Sequence, residues 1–239
     1  MATPRPRIDL LGCFRMVAGN KMPSDGYSAR RLLALLALNR RPMAREQVVT
    51  TLWPDVADTH ANGRLRTALW RLGSARESLV RIEGDHLELA GRCEVDLRLA
   101  ENLGRRLLAG EVAPGDGESV VEVFSHDLLP DWDEPWVDSE RECFRETRVH
   151  VLEALAARFL DLGDQLLAIR ASLKAIECSP YRDTSHRLLV RAYREEGNRL
   201  TALRHVLRYR QHLGEELNLP PERVLADLFD ELAGWAPAH

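Results

Sequence analysis

Lysine, cysteine and long apolar runs are scarce in this chain of 239 residues. The four cysteines lie at least 35 residues apart along the chain, which is not the CxxC spacing of zinc ribbons or thioredoxin-like sites. We therefore expect reduced, buried thiols. The longest apolar run, residues 32–38, has seven residues, whereas a segment that crosses the bilayer needs about 18. These absences predict a cytoplasmic protein with no membrane partner.

The motifs of several common enzyme classes are also missing. The sequence has no GxxxxGK or GxGxxG loop to hold a phosphate, no HExxH metal motif and no GxSxG nucleophile turn. The eight histidines are scattered, and we expect His205 and His212, seven residues apart, to lie at the surface. The sequence therefore predicts no catalytic activity, no cofactor and no metal site.

Charge is divided unevenly along the chain. Only two of the 33 basic residues are lysines, and the formal net charge of −4 hides two different parts. Residues 1–98 carry 16 basic and 11 acidic side chains, a net charge of +5, and residues 99–239 carry a net charge of −9. A basic first part suits a polyanion such as DNA, and an acidic second part suits a protein partner.

The first part has the element order of a winged helix-turn-helix domain. Turn residues and apolar spacing predict two short strands at residues 8–11 and 14–17. Three helices are predicted at residues 30–38, 45–53 and about 59–72, and a hairpin at residues 80–89. Asp58 or Thr59 is expected to cap the third helix, and Glu83-Gly84-Asp85 forms the turn of the hairpin.

The second part is predicted to be helical almost throughout, over residues 97–108, 136–162, 165–178, 182–196, 199–214 and 221–234, with a loop centred on residues 114–117. Self-comparison finds a repeat with an offset of 34 residues, in which Gly163 recurs as Gly197 and Ala168 as Ala202. This is the tetratricopeptide period. The predicted fold class is therefore mainly α with an α+β N-terminal part. Residues 1–96 are the winged helix-turn-helix domain and residues 97–239 an all-α, tetratricopeptide-like domain.

An acidic, aromatic segment precedes the long helix of the second part. Asp131, Asp133 and Glu134 lack the spaced ligands of a cation-binding loop. We interpret them as the entry to a helix, with Trp132 and Trp136 as core anchors.

The third predicted helix has an arginine-rich face opposite its apolar stripe. The stripe consists of Ala61, Leu65, Ala68, Leu69 and Leu72. The other faces carry five candidate DNA-binding residues: Arg64, Arg66, Thr67, Trp70 and Arg71. No acidic residue occurs between residues 59 and 76. Arginine grips phosphate or pairs with guanine, Thr67 can meet a thymine methyl or a base edge, and Gly63 allows close backbone approach. Trp70 needs burial by DNA, by the wing hairpin or by another subunit.

Further arginines lie where winged helices meet the DNA backbone. Arg30, Arg31 and Arg45 are on the earlier helices, beside Arg40 and Arg41, and Arg81 is the candidate on the hairpin. The alternative for each is a solvated side chain. The acidic tip of the hairpin does not suit insertion into the minor groove.

The chain resembles the SARP family of bacterial antibiotic-pathway regulators, which have an OmpR-type winged helix. The resemblance rests on residues 32–38, Arg45-Glu46, residues 52–55 and residues 65–72, and continues through residues 136–141 and 215–221, which are similar to landmarks of the bacterial transcriptional activation domain. It implies activation of transcription, through repeated promoter sites on double-stranded DNA and contact with RNA polymerase. In two places the chain differs from the family pattern: Arg64 replaces an expected Asn, and Gly73 an expected basic residue.

Two hypotheses remain from the sequence. In the first, the protein is a sequence-specific activator, of a biosynthetic gene cluster, whose residues 1–98 suffice for DNA binding while its acidic part binds a protein. In the second, it is an interaction scaffold whose winged helix serves dimerisation or protein binding. A homodimer is compatible with either hypothesis.

Overall fold

The computed structural model describes residues 5–18, 26–111 and 117–217. It divides into two compact units, each made of two separate stretches of chain. The first unit comprises Met1–Asn102 and His126–Phe144, and the second comprises Leu103–Ser125 and Arg145–His239. The helix predicted at residues 221–234 and most of the predicted loop at 114–117 lie outside the described residues.

The first unit begins with the strands and helices of a winged helix, as predicted. Its elements are β1 (Arg7–Asp9), β2 (Arg15–Val17), α1 (Tyr27–Leu38), β3 (Met43–Ala44), α2 (Arg45–Leu52), α3 (Asp58–Arg71), α4 (Arg76–Leu79), β4 (Val80–Glu83), β5 (His86–Leu89) and β6 (Glu94–Val95). One sheet has the order β2-β1-β6, with β1 antiparallel to β2 and parallel to β6. The other has the order β3-β5-β4 and is antiparallel.

Helix α1 is the central helix of the first unit. Eight of its twelve residues are buried, because leucine and alanine occupy nearly every side of the helix. It begins at Tyr27, three residues before the predicted start. It is capped by Asn39, whose side-chain amide donates a hydrogen bond of 2.8 Å to the carbonyl of Leu35. That bond satisfies one of the carbonyls left open in the last turn.

Helices α2 and α3 form the helix-turn-helix. Helix α2 stops at Leu52, because Pro54 has no backbone N–H to continue it, and Trp53 between them is buried. The predicted core stripe of α3 is confirmed, since all five of its residues are buried: Ala61, Leu65, Ala68, Leu69 and Leu72. The predicted cap is wrong. Ala57 holds the cap position in an extended conformation, and Asp58 instead lies in the first turn, where its charge favours the helix N-terminus.

The wing is the hairpin of β4 and β5, as predicted. Ile82 pairs with Leu87, and the chain turns at residues 84–85. The buried side chains of Val80, Leu87 and Leu89 attach the hairpin to the core. The sequence pattern does not predict strand β3, which pairs with β5, because two residues are too short to show the alternation of a strand.

The stretch His126–Phe144 pairs with the first strand region. Leu11 forms an isolated bridge with Leu128, and the amide of Leu129 donates to the carbonyl of Leu10 over 2.9 Å. Arg141 then fixes the stretch by donating to three carbonyls, those of Leu128, Leu129 and Trp132. This part of the chain, which the sequence assigns to the second domain, is therefore integral to the first compact unit.

The second unit is all-α. Its helices are the end of α5 (Asp96–Leu108), α6 (Gly117–Val123), most of α7 (Pro135–Asp161), α8 (Gln165–Cys178), α9 (Asp183–Glu195) and α10 (Arg199–Leu217). The sequence pattern does not predict α6, and it places Gly117, the first residue of this helix, in a loop. A helix of two turns that starts with a glycine gives only a weak periodic signal.

The 34-residue repeat is present in the backbone as well as in the sequence. The two hydrogen bonds that end α7 recur at the end of α9 with both partners shifted by 34 residues: Gly163 N to Leu160 O and Asp164 N to Phe159 O, then Gly197 N to Arg194 O and Asn198 N to Tyr193 O. Both glycines have positive φ, +73° and +87°, which favours glycine there. Ala168 and Ala202 are both fully buried.

A histidine pair lies between α9 and α10. His186 Nε2 is 2.8 Å from the carbonyl of Pro180 and must donate to it, so its Nδ1 accepts a bond of 2.9 Å from His205 Nε2. Burial, reinforced by His186, lowers the pKa of His205 to about 4, and burial also lowers the pKa of His186. His205 is therefore only partly exposed and is paired with His186, whereas His212 is half exposed, as predicted.

Candidate nucleic-acid interface

The exposed face of α3 carries the five residues predicted from the sequence. Arg64, Arg66, Thr67, Trp70 and Arg71 are all exposed. Among the described residues, neither Arg64 nor Arg66 has a hydrogen bond or ion pair, so both guanidinium groups are open to solvent. Along the sequence, the acidic residues that flank this face are Asp58, in the first turn, and Glu77, beyond the end of α3. The helix thus presents a cationic face with no carboxylate along most of its length.

Trp70 is the most exposed large apolar side chain of the described residues, with 79% of its surface accessible. Neither β4 nor β5 covers it, so burial by the wing, one of the three options left by the sequence, does not occur. A shallow groove runs from Trp70 along the end of α3, lined by Leu69, Gly73, Ser74, Arg76 and Glu77. An exposed indole beside unpaired guanidinium groups is a surface that can stack on or pack against a ligand.

Arg71 extends over the start of α1. A Cβ atom built on Gly26 would clash with Arg71 Nη1, so the side chain occupies the space directly above that glycine. Arg71 is nevertheless exposed. It therefore differs from Arg64 and Arg66, since its guanidinium already contacts the protein.

Arg31 lies apart from this face, in a buried ion pair. Its Nε lies 2.6 Å from Glu134 Oε1, and its Nη2 donates to Glu134 Oε2 over 2.7 Å. Only 14% of the Arg31 side chain is accessible. The same carboxylate accepts hydrogen bonds from Tyr27 and Trp136. Arg31 is engaged inside the first unit, and a DNA backbone cannot reach a guanidinium that is buried and already paired.

The other predicted arginines have different surroundings. Arg30 is exposed on α1. Arg45 begins α2 and is half buried, with its Nε 3.5 Å from Asp85 Oδ1 in the turn of the wing. Arg81 forms ion pairs with Glu83 and Glu88, the latter at 3.4 Å. The wing therefore neutralises its own arginine and presents no excess of positive charge.

The sequence does not single out the aromatic cluster around Trp132. The Trp132 ring lies 5.5 Å from that of Phe14, 6.3 Å from Tyr27 and 6.2 Å from Trp136, between ring centroids. Trp132 and Trp136, predicted as core anchors, are half buried within this cluster. The interpretation of this segment as a helix entry does not predict these contacts, because Phe14 and Tyr27 lie more than 100 residues before Trp132 in the chain.

Neither a metal centre nor a membrane span is found in the described part of the chain. It contains no group of three or more His, Cys, Asp or Glu side chains that could hold a metal ion. None of its helices combines the length and the hydropathy that a membrane span requires.

Comparison with known proteins places the chain among transcriptional regulators. The family model described as "Bacterial transcriptional activator domain" matches residues 95–233, more than half of the chain. The regulatory protein AfsR of Streptomyces griseus is 25% identical over 233 residues, which cover 93% of this chain and 24% of that protein. The chain thus spans about a quarter of the length of this relative.

A solved structure shares the fold. EmbR of Mycobacterium tuberculosis, solved in complex with a low affinity phosphopeptide, superposes with a TM-score of 0.72 and 21% identity, covering 98% of this chain and 66% of that one. At this identity the likeness concerns the fold alone. It agrees with a winged-helix part followed by an all-α domain. The match to the activator domain over more than half of the chain, together with the similarity to AfsR, leads to one conclusion: the chain belongs to the SARP family of transcriptional regulators.

Proposed function

We propose that the protein is a sequence-specific DNA-binding activator of transcription that reads the major groove with α3. The observation that carries this proposal is the exposed face of α3, where Arg64, Arg66, Thr67 and Trp70 project from a helix whose opposite side is fully buried. An α-helix fits the major groove, where arginine recognises guanine and apolar groups contact the thymine methyl.

Electrostatics supports α3, and not the wing, as the element that enters the groove. The α3 face has unpaired guanidinium groups and no carboxylate between residues 59 and 76. The wing carries three carboxylates, on Glu83, Asp85 and Glu88, around a single arginine. A phosphate backbone would be repelled by the wing tip and attracted by α3. The proposed interface therefore includes Arg30 and Arg71 as backbone contacts and leaves out Arg31 and Arg81.

The activating contact is assigned to the all-α unit. This unit carries 16 basic and 18 acidic side chains, so it has no excess of positive charge. It exposes several leucines on its helices: Leu162, Leu166, Leu173, Leu200 and Leu207. Exposed apolar side chains on a unit without excess positive charge suit a protein partner and not DNA. We propose RNA polymerase as that partner and a tetratricopeptide-like arrangement for the helices. The proposed targets are promoters of a biosynthetic gene cluster, in keeping with the SARP family.

The direct test is DNA selection followed by a salt titration. The full chain is incubated with a pool of random duplexes, and the Kd of the best duplex is measured at several salt concentrations. Arg64→Ala or Arg66→Ala should weaken binding by about 1–3 kcal/mol if the residue reads a base. If it grips a phosphate, the salt slope should fall by about one instead. Arg92→Ala is the control, because Arg92 is an exposed arginine of the same unit that lies off α3.

The scaffold hypothesis makes a different prediction for the same experiment. If no duplex is enriched at physiological salt, or if both α3 variants bind like the parent, the helix is not the reader. The winged helix would then serve as a protein-binding surface. Enrichment of a defined duplex, lost in the α3 variants and retained in Arg92→Ala, supports the activator.

A further inference from the structure

A stripe without charge runs along the exposed face of α3, between its arginines. It consists of Gly63, Thr67 and Trp70, which lie four and three residues apart and therefore on one side of the helix. Arg64, Arg66 and Arg71 flank it. We propose, on the basis of the DNA-binding function proposed above, that this stripe recognises 5-methyl groups of thymine in the major groove, with Gly63 as the point of closest approach.

Neither packing nor backbone conformation requires a glycine at position 63 among the described residues. A Cβ atom built on it would meet no described atom within 4 Å, and its φ is not positive. Glycine in the interior of a helix is less stable than alanine, so this position lowers the stability of α3 without a packing benefit. A ligand that approaches the backbone closely gives a physical reason for glycine here.

Thr67 has already used its only hydrogen-bond donor. Its hydroxyl donates to the carbonyl of Gly63 over 3.0 Å, one turn back along the helix. The hydroxyl oxygen can then only accept a hydrogen bond, and the other group that the exposed side chain presents is its methyl. The methyl of Thr67 and the exposed ring of Trp70, three residues further along α3, make the stripe apolar over this turn of the helix.

Thymine is the base that matches such a stripe. Its 5-methyl is the apolar group on the major-groove edges of the four bases, and contacts with threonine methyls are one of the ways it is read. The guanidinium groups on either side supply the attraction to phosphates and guanine that brings the backbone of α3 close. The recognised element is therefore thymine, flanked by bases or phosphates within reach of arginine.

The test is a double-mutant cycle between the protein methyl and the DNA methyl. The duplex selected by the full chain is resynthesised with deoxyuridine at each thymine in turn, which removes only the methyl. At one or two positions the parent should bind about fourfold more weakly. Thr67→Ser lacks the methyl, so its affinity for the thymine duplex should be as low as the affinity of the parent for the deoxyuridine duplex. Replacing thymine by deoxyuridine should then lower the affinity of Thr67→Ser only slightly. Thr67→Val, which keeps the methyl, should retain the preference for thymine.

Gly63→Ala supplies an independent readout. It should raise the melting temperature of the first unit by about 3 °C, while it weakens binding of the selected duplex by about tenfold because the Cβ keeps α3 away from the groove. A gain in stability together with a loss of binding cannot arise from misfolding.

The outcomes separate this inference from the function on which it rests. If the full chain selects no duplex, the proposed function fails. If it selects one but deoxyuridine has no effect at any position, or Gly63→Ala binds like the parent, the thymine stripe is overturned and DNA binding stands. If Thr67→Ser binds like the parent and Thr67→Val does not, the hydroxyl accepts from adenine or cytosine, and the proposal is again wrong.

Discussion

At the scale of single residues, Glu134 binds three side chains of the first unit. Its carboxylate is buried and binds the guanidinium of Arg31, the hydroxyl of Tyr27 and the indole N–H of Trp136. A buried ion pair is costly to break from one side, because the remaining charge keeps its burial and loses its partner.

Glu134→Ala should therefore lower the free energy of unfolding of the first unit by about 3 kcal/mol. The neighbouring Asp133 is exposed, so Asp133→Ala is a matched control and should change stability by no more than about 0.5 kcal/mol. Chemical denaturation followed by tryptophan fluorescence checks both, since Trp132 and Trp136 lie at the site. Equal midpoints for the two variants would show that the ion pair does not stabilise the unit.

His205 gives the second unit a pH dependence. Its pKa in the folded protein is about 4, against about 6.5 in an unfolded chain, so the unfolded state binds more protons between these pH values. The free energy of unfolding should then fall as the pH drops from about 6.5 towards 4, by up to about 3 kcal/mol.

Thermal melts between pH 7 and pH 4 test this dependence. His205→Gln keeps a donor near His186 but does not titrate, so its melting temperature should change less with pH than that of the parent. His212→Gln, at a half-exposed histidine of the same helix, should follow the parent. Parallel pH curves for the parent and His205→Gln would mean that this histidine does not couple protons to folding.

At the scale of secondary structure elements, the second unit is stabilised by close packing of α9 and α10. Ala202 on α10 is fully buried and forms a cluster with Val190 and Val206, against which Tyr193 packs. A small residue at this position lets the two helices approach each other, and a larger or charged one has no room and no polar partner there.

Ala202→Glu should accordingly cost about 3 kcal/mol or more, because it buries an unpaired charge. Leu200→Glu, two residues earlier on the same helix, is the control. Leu200 is 71% exposed, so its replacement should change stability by less than about 0.5 kcal/mol. Calorimetry of the full chain should show the transition of the second unit shifted by Ala202→Glu alone. A transition shifted equally by both would contradict the close packing of α10 against α9.

At the scale of the whole molecule, the compact units do not follow the order of the sequence. The first unit needs His126–Phe144, which supplies the buried Leu128 and Leu129, the partner of Arg31 and the backbone pairing with Leu11. A fragment of residues 1–98 lacks all of these contacts. We therefore expect the smallest stable DNA-binding fragment to extend to Phe144.

A fragment of residues 1–98 should unfold without a cooperative transition, whereas residues 1–144 should melt cooperatively and bind the selected duplex. The fragment of 1–144 should not activate a promoter, because most of the all-α unit, with its exposed leucines, is missing. Circular dichroism melts and gel shifts check the first part, and a reporter gene checks the second. A cooperative melt of 1–98 at the temperature of 1–144 would show that His126–Phe144 is dispensable for the fold.

The sequence by itself determined the features that depend on local spacing. The apolar stripe of α3, the wing hairpin and the 34-residue recurrence of Gly163 and Gly197 are periodic patterns, so residues close in the chain are enough to reveal them. The exposed residues of α3 followed from the same period, since the side opposite a buried stripe faces outwards.

Only the tertiary structure decided which charged and polar side chains are taken up inside the fold. Arg31 and Glu134 are 103 residues apart, and His186 and His205 lie on different helices, so no local pattern distinguishes them from solvated residues. Burial and pairing of such groups depend on which distant segments meet. For the same reason the structure, and not the sequence, separated Arg31, which is buried and paired, from Arg64 and Arg66, which remain open to solvent.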